Sequence, residues 1–248
     1  MQPLADLMRP NKLDDIIGQK HLIGKNKIIR NLIENNKIFS MILYGPCGTG
    51  KTTLAYTITN ELNLKYEFLN ATINSKKDLD EVIKKTKEND GIVLIMDEIH
   101  RLNKDKQDLL LPYLENGLII LIGLTTANPY HSINPAIRSR CQLLELKQLN
   151  EKDVEKGLKR VQTVYPDIKM DQKTIKYIAK LSNGDVRYAY NLIEFSYYGF
   201  NKNVTIENLQ EVNNSPSFFT DKGEDGHYEM LSAFQKSIRG SDVDAALH

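Results

Sequence analysis

The sequence predicts an α/β protein whose parallel sheet is covered by helices on both faces and is followed by a small all-helical domain. A glycine-rich phosphate-binding loop stands between an apolar run and a helical run within residues 41–62. Residues 92–96 and 118–124 are continuous apolar runs, as expected of strands buried on both faces of a parallel sheet. Beyond residue 149 the pattern becomes helical throughout, which indicates a second, separate domain.

The individual elements follow from hydrophobic periodicity and from residues that start helices. Short apolar runs predict strands at residues 41–44, 66–69, 92–96, 118–124 and 143–146. Apolar residues three and four positions apart predict a helix at 77–88, and further helices are predicted near 27–35, at 52–62 after the phosphate-binding loop, and at 104–115. Acidic or hydroxyl residues at the start predict helices at 151–164, 171–181, 185–198 and 205–211. The predicted organisation is an α/β domain at 1–148, a helical lid at 149–212, a polar linker at 213–226 and the start of a truncated helical domain at 227–248.

Composition excludes little but sets limits on partners. The net charge is +1, so a nucleic-acid partner would have to be held by a local basic patch rather than by the overall field. Cys47 and Cys141 are expected to be free thiols in a reducing compartment. The five histidines show no ligand spacing, so no histidine-bound metal is expected. No apolar run reaches the length of a membrane span, and we expect a cytoplasmic protein without a membrane partner.

Residues 45–52 fit the pattern of a phosphate-binding loop, and the flanking strand and helix supply the context that this motif needs. Its glycines allow backbone N–H groups to point at phosphate oxygens, and the following helix N-terminus adds partial positive charge. In such a loop Lys51 reaches the β- and γ-phosphates, and the Thr52 hydroxyl can ligate Mg²⁺. The residues expected to bind the nucleotide here are Gly45, Pro46, Cys47, Gly48, Thr49, Gly50, Lys51, Thr52 and Thr53.

A pair of carboxylates, Asp97 and Glu98, follows the apolar run at 92–96. Asp97 at the tip of a strand can hold Mg²⁺, often through water, and Glu98 can polarise the water that attacks the γ-phosphate. Two carboxylates after a strand are more often solvated turn residues. Downstream of a phosphate-binding loop, however, they predict ATP and Mg²⁺ as cofactors.

Polar and basic residues farther along the chain complete the predicted site. Thr126 follows the strand at 118–124 and could orient the attacking water, with Asn128 as the alternative unless it only forms a turn with Pro129. Arg140 is a candidate arginine finger for the γ-phosphate of a neighbouring subunit. Arg187 opens a helix of the lid and could sense the nucleotide, or could merely pair with its own helix.

In this order the motifs resemble an AAA+ ATPase of the clamp-loader branch, over residues 3–212. Within that branch the chain is similar to the replication-associated recombination protein A family (RarA, also called MgsA), whose eukaryotic relative is the Werner-helicase-interacting ATPase. The stretches that carry the narrower resemblance are Pro3-Leu4-Ala5, Met8-Arg9-Pro10, Gly18-Gln19-Lys20-His21-Leu22, Asp97-Glu98-Ile99-His100-Arg101-Leu102-Asn103-Lys104, His227-Tyr228-Glu229, Ser232-Ala233-Phe234-Gln235-Lys236-Ser237 and Arg239-Gly240-Ser241-Asp242.

The resemblance implies roles for particular residues. It implies Arg140 as the trans-acting finger, Thr126 and Arg187 as the first and second sensors, and an adenine contact by Arg9, Pro10, Ile16 and Ile17. Three positions depart from the family: Cys47 replaces a proline, Ala127 replaces a glutamate beside the water-sensing tip, and Arg138 replaces an uncharged residue and could be a second finger.

The resemblance also implies a function: a DNA-dependent ATPase that remodels DNA or replisome components at stalled or gapped replication forks. The implied partners are single-stranded or gapped DNA, duplex ends, single-strand-binding protein and further copies of the chain. The implied assembly is a tetramer, or a monomer if the chain lacks the family's assembly contacts, and the implied location is the nucleoid.

Other functions stay open at this point. A clamp-loader subunit or a Holliday-junction motor subunit would share the same ATPase residues, and only the stretch at 227–242 argues against them. An ATP-regulated adaptor with little turnover belongs to a different class of function, against which Glu98 and Arg140 argue. A small-molecule P-loop kinase is disfavoured by the helical lid and by Ser139-Arg140-Cys141.

Overall fold

A computed structural model describes residues 2–89 and 91–213 and contains one sheet of parallel strands. The strands are β1 (Met41–Tyr44), β2 (Tyr66–Asn70), β3 (Ile92–Asp97), β4 (Ile119–Thr125) and β5 (Gln142–Glu145). Their order across the sheet is β2-β3-β4-β1-β5. The predicted α/β fold with a parallel sheet is therefore confirmed, and each predicted strand is found within one residue of its expected ends.

Helices surround the sheet and continue beyond it. They are α1 (Leu4–Leu7), α2 (Lys20–Ile23), α3 (Ile28–Glu34), α4 (Lys51–Glu61), α5 (Lys76–Glu88), α6 (Lys104–Glu115), α7 (Pro129–Ser132), α8 (Pro135–Arg138), α9 (Glu151–Val164), α10 (Gln172–Leu181), α11 (Val186–Gly199) and α12 (Ile206–Asn213), with 3₁₀ turns at Leu13–Asp15 and Ile99–Arg101. The four-residue helices α1, α2, α7 and α8 were not predicted, because one turn is too short to show a helical period.

The sheet separates two apolar layers, since alternate residues of a strand face opposite sides. In the interior strand β3, Val93 and Ile95 pack with α3 and α4 on one face. Leu94 and Met96 pack with α5 and α6 on the other. Five of the six β3 residues are buried, which is why the strand reads as a continuous apolar run rather than an alternating one.

A third apolar cluster lies among the helices α9 to α12. Side-chain caps start three of these helices: Asn150, Asp171 and Asp185 accept hydrogen bonds from backbone N–H groups of the first turn. Leu4 and Met8 also pack in this cluster, although they were assigned to the α/β domain from the sequence. The reason is that α1 lies against α11, where the Leu4 N–H donates to the Glu194 carboxylate at 3.3 Å.

The predicted linker beyond residue 213 and the predicted helical start at 227 lie outside the described residues. Within the part of the chain that the structure describes, no helix combines the length and apolar character needed to cross a membrane.

Candidate nucleotide-binding site

A cavity opens at the carboxyl ends of the strands, between the sheet and the helices that follow it. Parallel strands bring their carboxyl ends to one edge, so the loops after β1, β3 and β4 meet there. Leu149 and four groups of residues line it: the phosphate-binding loop with the start of α4, the Asp97-Glu98 pair, Thr126, and a wall from the N-terminal segment and α11. The lining residues are Ala5, Asp6, Met8, Arg9, Pro10, Ile16, Ile17, Cys47, Gly48, Thr49, Gly50, Lys51, Thr52, Thr53, Asp97, Glu98, Thr126, Leu149, Val186, Arg187 and Tyr190.

The phosphate-binding loop is held by its own polar groups. The Thr49 side chain is almost fully buried, and its hydroxyl donates to the Pro46 carbonyl at 2.8 Å. The Lys51 ammonium donates to the Gly45 and Pro46 carbonyls at 2.7 and 2.8 Å. The loop is thus already curled around its lysine, and in loops of this pattern the lysine reaches the β- and γ-phosphates of a bound nucleotide.

Charged groups of both signs surround Lys51. Burial lowers the pKa of Lys51, and Arg187 acts in the same direction, whereas Cys47, Glu98 and Asp97 oppose it. Two cations, Lys51 at the start of α4 and Arg187 on α11, therefore converge on the cavity. Their mutual repulsion would be relieved by a polyphosphate between them.

Asp97 and Glu98 stand at the tip of β3 with a constrained backbone. The Glu98 N–H donates to the Asp97 carboxylate at 3.0 Å. Glu98 has φ +51° and ψ +42°, a left-handed conformation that is uncommon for a residue other than glycine, asparagine or aspartate. Such strain is frequent in functional sites. Both side chains line the cavity.

Thr126 lies immediately after β4 and lines the cavity. Asn128, its alternative from the sequence, caps α7, because its side-chain oxygen accepts from the Tyr130 N–H at 3.0 Å. The structure thus gives Asn128 the turn-forming role that was its alternative interpretation, and Thr126 faces the cavity in its place.

Helix α11 closes one side of the cavity through Val186, Arg187 and Tyr190. Its cap residue, Asp185, touches the phosphate-binding loop at Gly48. Burial raises the pKa of Tyr190 to about 12, so this phenol is neutral at physiological pH. Of the three α11 residues that line the cavity, Arg187 is therefore the charged one, and Val186 and Tyr190 are uncharged.

The N-terminal segment forms the remaining wall. Arg9, Pro10, Ile16 and Ile17, for which the resemblance implies an adenine contact, all line the cavity. Arg9 pairs with Asp6 at 2.6 Å, and its guanidinium lies 5.0 Å from the centre of the Tyr56 ring. These contacts fix the Arg9 guanidinium at the wall of the cavity, beside Ile16 and Ile17 in its lining.

Arg140 does not line this cavity. It follows α8, forms an ion pair with Glu115 at the end of α6, and donates to the Ala136 carbonyl at 2.7 Å. Arg138 donates to the Tyr130 carbonyl and lies over the Tyr130 ring, so it is engaged within its own subunit. A role for Arg140 at a γ-phosphate would require a second copy of the chain.

The site suits Mg²⁺ only together with a nucleotide. Among the described residues, no group of three or more histidine, cysteine, aspartate or glutamate side chains could hold a metal ion. Thr52 and Asp97 do bring a hydroxyl and a carboxylate to the same cavity, and hard oxygen ligands are what Mg²⁺ prefers. The remaining ligands would be phosphate oxygens and water.

Sequence reasoning missed how Gln19 joins the parts of the site. Gln19 is buried, and its side-chain amide donates to the Thr49 carbonyl at 3.2 Å and to the Lys147 carbonyl at 2.7 Å. Its side-chain oxygen accepts from the Lys147 N–H at 3.0 Å. One side chain thus connects the phosphate-binding loop to the segment between β5 and α9. Its φ of +48°, unusual for glutamine, is not readable from sequence.

A parallel sheet with this loop, an Asp-Glu pair and a helical lid at the cavity defines the chain as a P-loop protein of the AAA+ class. The family model described as the Holliday junction DNA helicase RuvB P-loop domain matches residues 8–136, and the AAA C-terminal domain matches residues 163–239. Among solved structures, the Thermotoga maritima RuvB Holliday junction branch migration motor is similar, with a TM-score of 0.70 and 26% identity over 84% of this chain and 72% of that one.

Sequence relatives narrow the class. The replication-associated recombination protein A of Bacillus subtilis is 47% identical over 262 residues, covering 100% of this chain and 62% of that protein. The Escherichia coli K12 protein of the same name is 38% identical, and the ATPase WRNIP1 of Dictyostelium discoideum is 36% identical over 99% of this chain and 32% of that protein. The chain belongs to the replication-associated recombination protein A family. It spans about three fifths of the length of these two bacterial relatives.

Proposed function

We propose that this chain is the ATP-hydrolysing part of a DNA-dependent ATPase that remodels DNA or replisome components at stalled or gapped replication forks. The proposal that the chain hydrolyses ATP is supported by the set of residues that line one cavity: Lys51, Asp97, Glu98, Thr126 and Arg187. The replicative part is supported by family membership. The proposal includes a cytoplasmic location at the nucleoid.

Each side chain has a task that its position allows. The loop N–H groups and Lys51 hold the β- and γ-phosphates, while Thr52 and Asp97 hold Mg²⁺. When bound, Mg²⁺ would neutralise charge that develops on the β- and γ-oxygens. Glu98 accepts a proton from the attacking water, and Thr126 orients that water. Arg9, Pro10, Ile16 and Ile17 hold the adenine.

The lid and a neighbouring subunit supply the remaining charges. Arg187 contacts the γ-phosphate from α11, so that the lid responds to whether ATP or ADP is bound. Arg140 reaches the γ-phosphate of an adjacent copy, which makes the site composite and requires a homo-oligomer. An arginine finger is worth about 10³–10⁵ in rate. In the single subunit, the ion pair between Arg140 and Glu115 holds the guanidinium on the surface until a neighbouring subunit binds.

The test is steady-state ATP turnover with and without single-stranded DNA, gapped duplex and blunt duplex. We expect gapped or single-stranded DNA to raise the rate, with a loss of stimulation as salt increases, because phosphate contacts release counterions. Lys51→Ala should abolish turnover on every DNA. A wild-type rate that no DNA changes would contradict the DNA-dependent part, and single-strand-binding protein added to the gapped substrate tests that partner in the same assay.

A Holliday-junction motor is the second candidate, because the RuvB P-loop domain matches this chain and the RuvB fold is similar. Turnover stimulated only by four-way junctions would favour it. Tight binding of a sliding clamp would favour a clamp-loader subunit. ATP binding without turnover under every condition would favour an ATP-regulated adaptor.

A further inference from the structure

A histidine stands between the proposed water-activating glutamate and the end of β4. His100 lies in the 3₁₀ turn Ile99–Arg101 that follows the Asp97-Glu98 pair. Its Nδ1 is 2.8 Å from the Thr125 hydroxyl and 3.3 Å from a carboxylate oxygen of Glu98. The imidazole is 11% exposed, so these contacts are little weakened by water.

The backbone of Glu98 leaves its side chain as the part that can move. Its N–H donates to the Asp97 carboxylate at 3.0 Å, and its carbonyl accepts from the Arg101 N–H at 2.8 Å. Both peptide groups of Glu98 are therefore fixed. The orientation of the Glu98 carboxylate therefore depends on its side-chain torsions and on the groups that it contacts, of which His100 is one.

Whether Nδ1 of His100 carries a proton decides whether its contact with the Glu98 carboxylate is favourable. The Ala127 N–H donates to the Thr125 hydroxyl oxygen at 3.0 Å. If Nδ1 carries a proton, it can attract the Glu98 carboxylate, and the Thr125 proton can turn toward the Ala127 carbonyl at 3.5 Å. If Nδ1 is bare, its lone pair accepts the Thr125 proton, and it offers no proton to the carboxylate. The two arrangements hold and release Glu98.

Thr125 connects this contact to the rest of the cavity. It is the last residue of β4 and is 1% exposed. Its carbonyl accepts from the Gly45 N–H of the phosphate-binding loop at 3.3 Å, and the next residue, Thr126, lines the cavity. A displacement of the loop or of Thr126 by a γ-phosphate would therefore reach the imidazole through one buried residue.

We propose that His100 is a positioning residue that sets the orientation of the Glu98 carboxylate, with Thr125 transmitting the state of the phosphate-binding loop to the imidazole. The proposal rests on the proposed ATP hydrolysis through Glu98. It requires the ring nitrogen and the threonine hydroxyl, not merely the volume of these side chains. Removing either group should lower kcat for ATP and leave KM and ATP affinity nearly unchanged, because neither group touches the nucleotide.

Two matched pairs of variants separate this role from packing. His100→Phe keeps a ring without nitrogen, whereas His100→Asn retains an amide group near the position of Nδ1. Thr125→Val keeps the shape of the side chain without its hydroxyl, whereas Thr125→Ser keeps the hydroxyl. We expect His100→Phe and Thr125→Val to lower kcat by up to about 10²-fold, the loss typical of a misplaced catalytic group, and the two conservative variants to recover most of it. His131→Asn, at an exposed histidine on α7, is the control.

A double-mutant cycle with Glu98→Gln identifies the route. If His100 acts through Glu98, His100→Phe should have no further effect in the Glu98→Gln background, measured by single-turnover hydrolysis. Two results would overturn the inference. One is that kcat falls equally in His100→Phe and His100→Asn, and also equally in Thr125→Val and Thr125→Ser. The other is that the losses of His100→Phe and Glu98→Gln add in the double mutant. If thermal unfolding shows that His100→Phe is not folded, the comparison of Thr125→Val with Thr125→Ser tests the inference instead. Failure of the proposed function looks different, because Glu98→Gln would then turn over ATP at the wild-type rate.

Discussion

Asp185 and Gly48 are in such close contact that no side chain fits between them. A Cβ placed on Gly48 would stand 2.0 Å from the Asp185 carboxylate oxygen and 2.7 Å from the Asp185 Cα. Gly48 belongs to the phosphate-binding loop, and Asp185 caps the helix that carries Arg187. The loop that binds phosphate and the helix that closes the cavity are therefore in direct contact.

Gly48→Ala should therefore weaken ATP binding by at least tenfold, since the methyl group would push the Arg187 helix away from the loop and strain a φ of +69°. Isothermal titration with a non-hydrolysable ATP analogue measures the effect. Gly117→Ala is the matched control, because Gly117 has φ +73° with nothing within 4 Å of the added Cβ. Equal affinities in the two variants would show that the contact with Asp185 is unimportant.

Lys51 should give ATP binding an alkaline limit below the pH at which an ordinary lysine loses its proton. Burial lowers the pKa of Lys51, and the protonated ammonium is the form that binds phosphate. Affinity should thus be full near neutral pH and fall as pH rises through that lowered pKa. In Lys51→Arg the guanidinium stays charged, so any remaining affinity should not show this fall. Titration of ATP binding between neutral and alkaline pH compares the two proteins.

The two cysteines should differ sharply in reactivity. Cys47 is exposed in the phosphate-binding loop, whereas Cys141 is buried and burial raises its pKa to about 12. A maleimide should label Cys47 alone in the folded protein, and saturating ATP should slow that labelling by more than about tenfold because the nucleotide covers the loop. Mass spectrometry of the labelled peptides reads the result, with Cys47→Ser as control. Labelling that ATP does not slow would place the nucleotide elsewhere.

Arg140→Ala should lower turnover by about 10³-fold or more without loss of ATP affinity, since its guanidinium would act on a neighbouring subunit. Arg138→Ala, two residues earlier at the end of α8, is the control and should keep most of the activity, because Arg138 contacts Tyr130 of its own subunit. Mixing Arg140→Ala with Lys51→Ala should restore part of the turnover, as each supplies what the other lacks. Loss of ATP binding in Arg140→Ala would show that the residue contacts its own nucleotide.

The sequence predicted the site best where the functional residues are adjacent to one another in the chain. The phosphate-binding loop and Asp97-Glu98 are short runs, and a strand buried on both faces reads as an apolar run, so β3 and β4 were predicted nearly to their ends. The helices of four residues were not, because they are too short for a period of 3.6 to show.

Contacts between distant segments were beyond reach of sequence. Gln19 reaches the Thr49 carbonyl, and His100 reaches Thr125, only because the fold brings these segments together. Leu4 and Met8 have the spacing of a helical face, but nothing in the sequence says that this face meets α11 rather than the sheet. The separation of Arg140 from the cavity likewise depends on where α8 lies.

The measurement that tests the central claim most directly is ATP binding and ATP turnover in Glu98→Gln beside wild type, under the DNA conditions that give the highest wild-type rate. Glutamine keeps the shape of the side chain but cannot accept the proton of the attacking water. We expect unchanged ATP affinity and a turnover reduced by at least about 10²-fold, the usual worth of a general base. Wild-type turnover in Glu98→Gln would contradict the assignment of this site as the one that hydrolyses ATP.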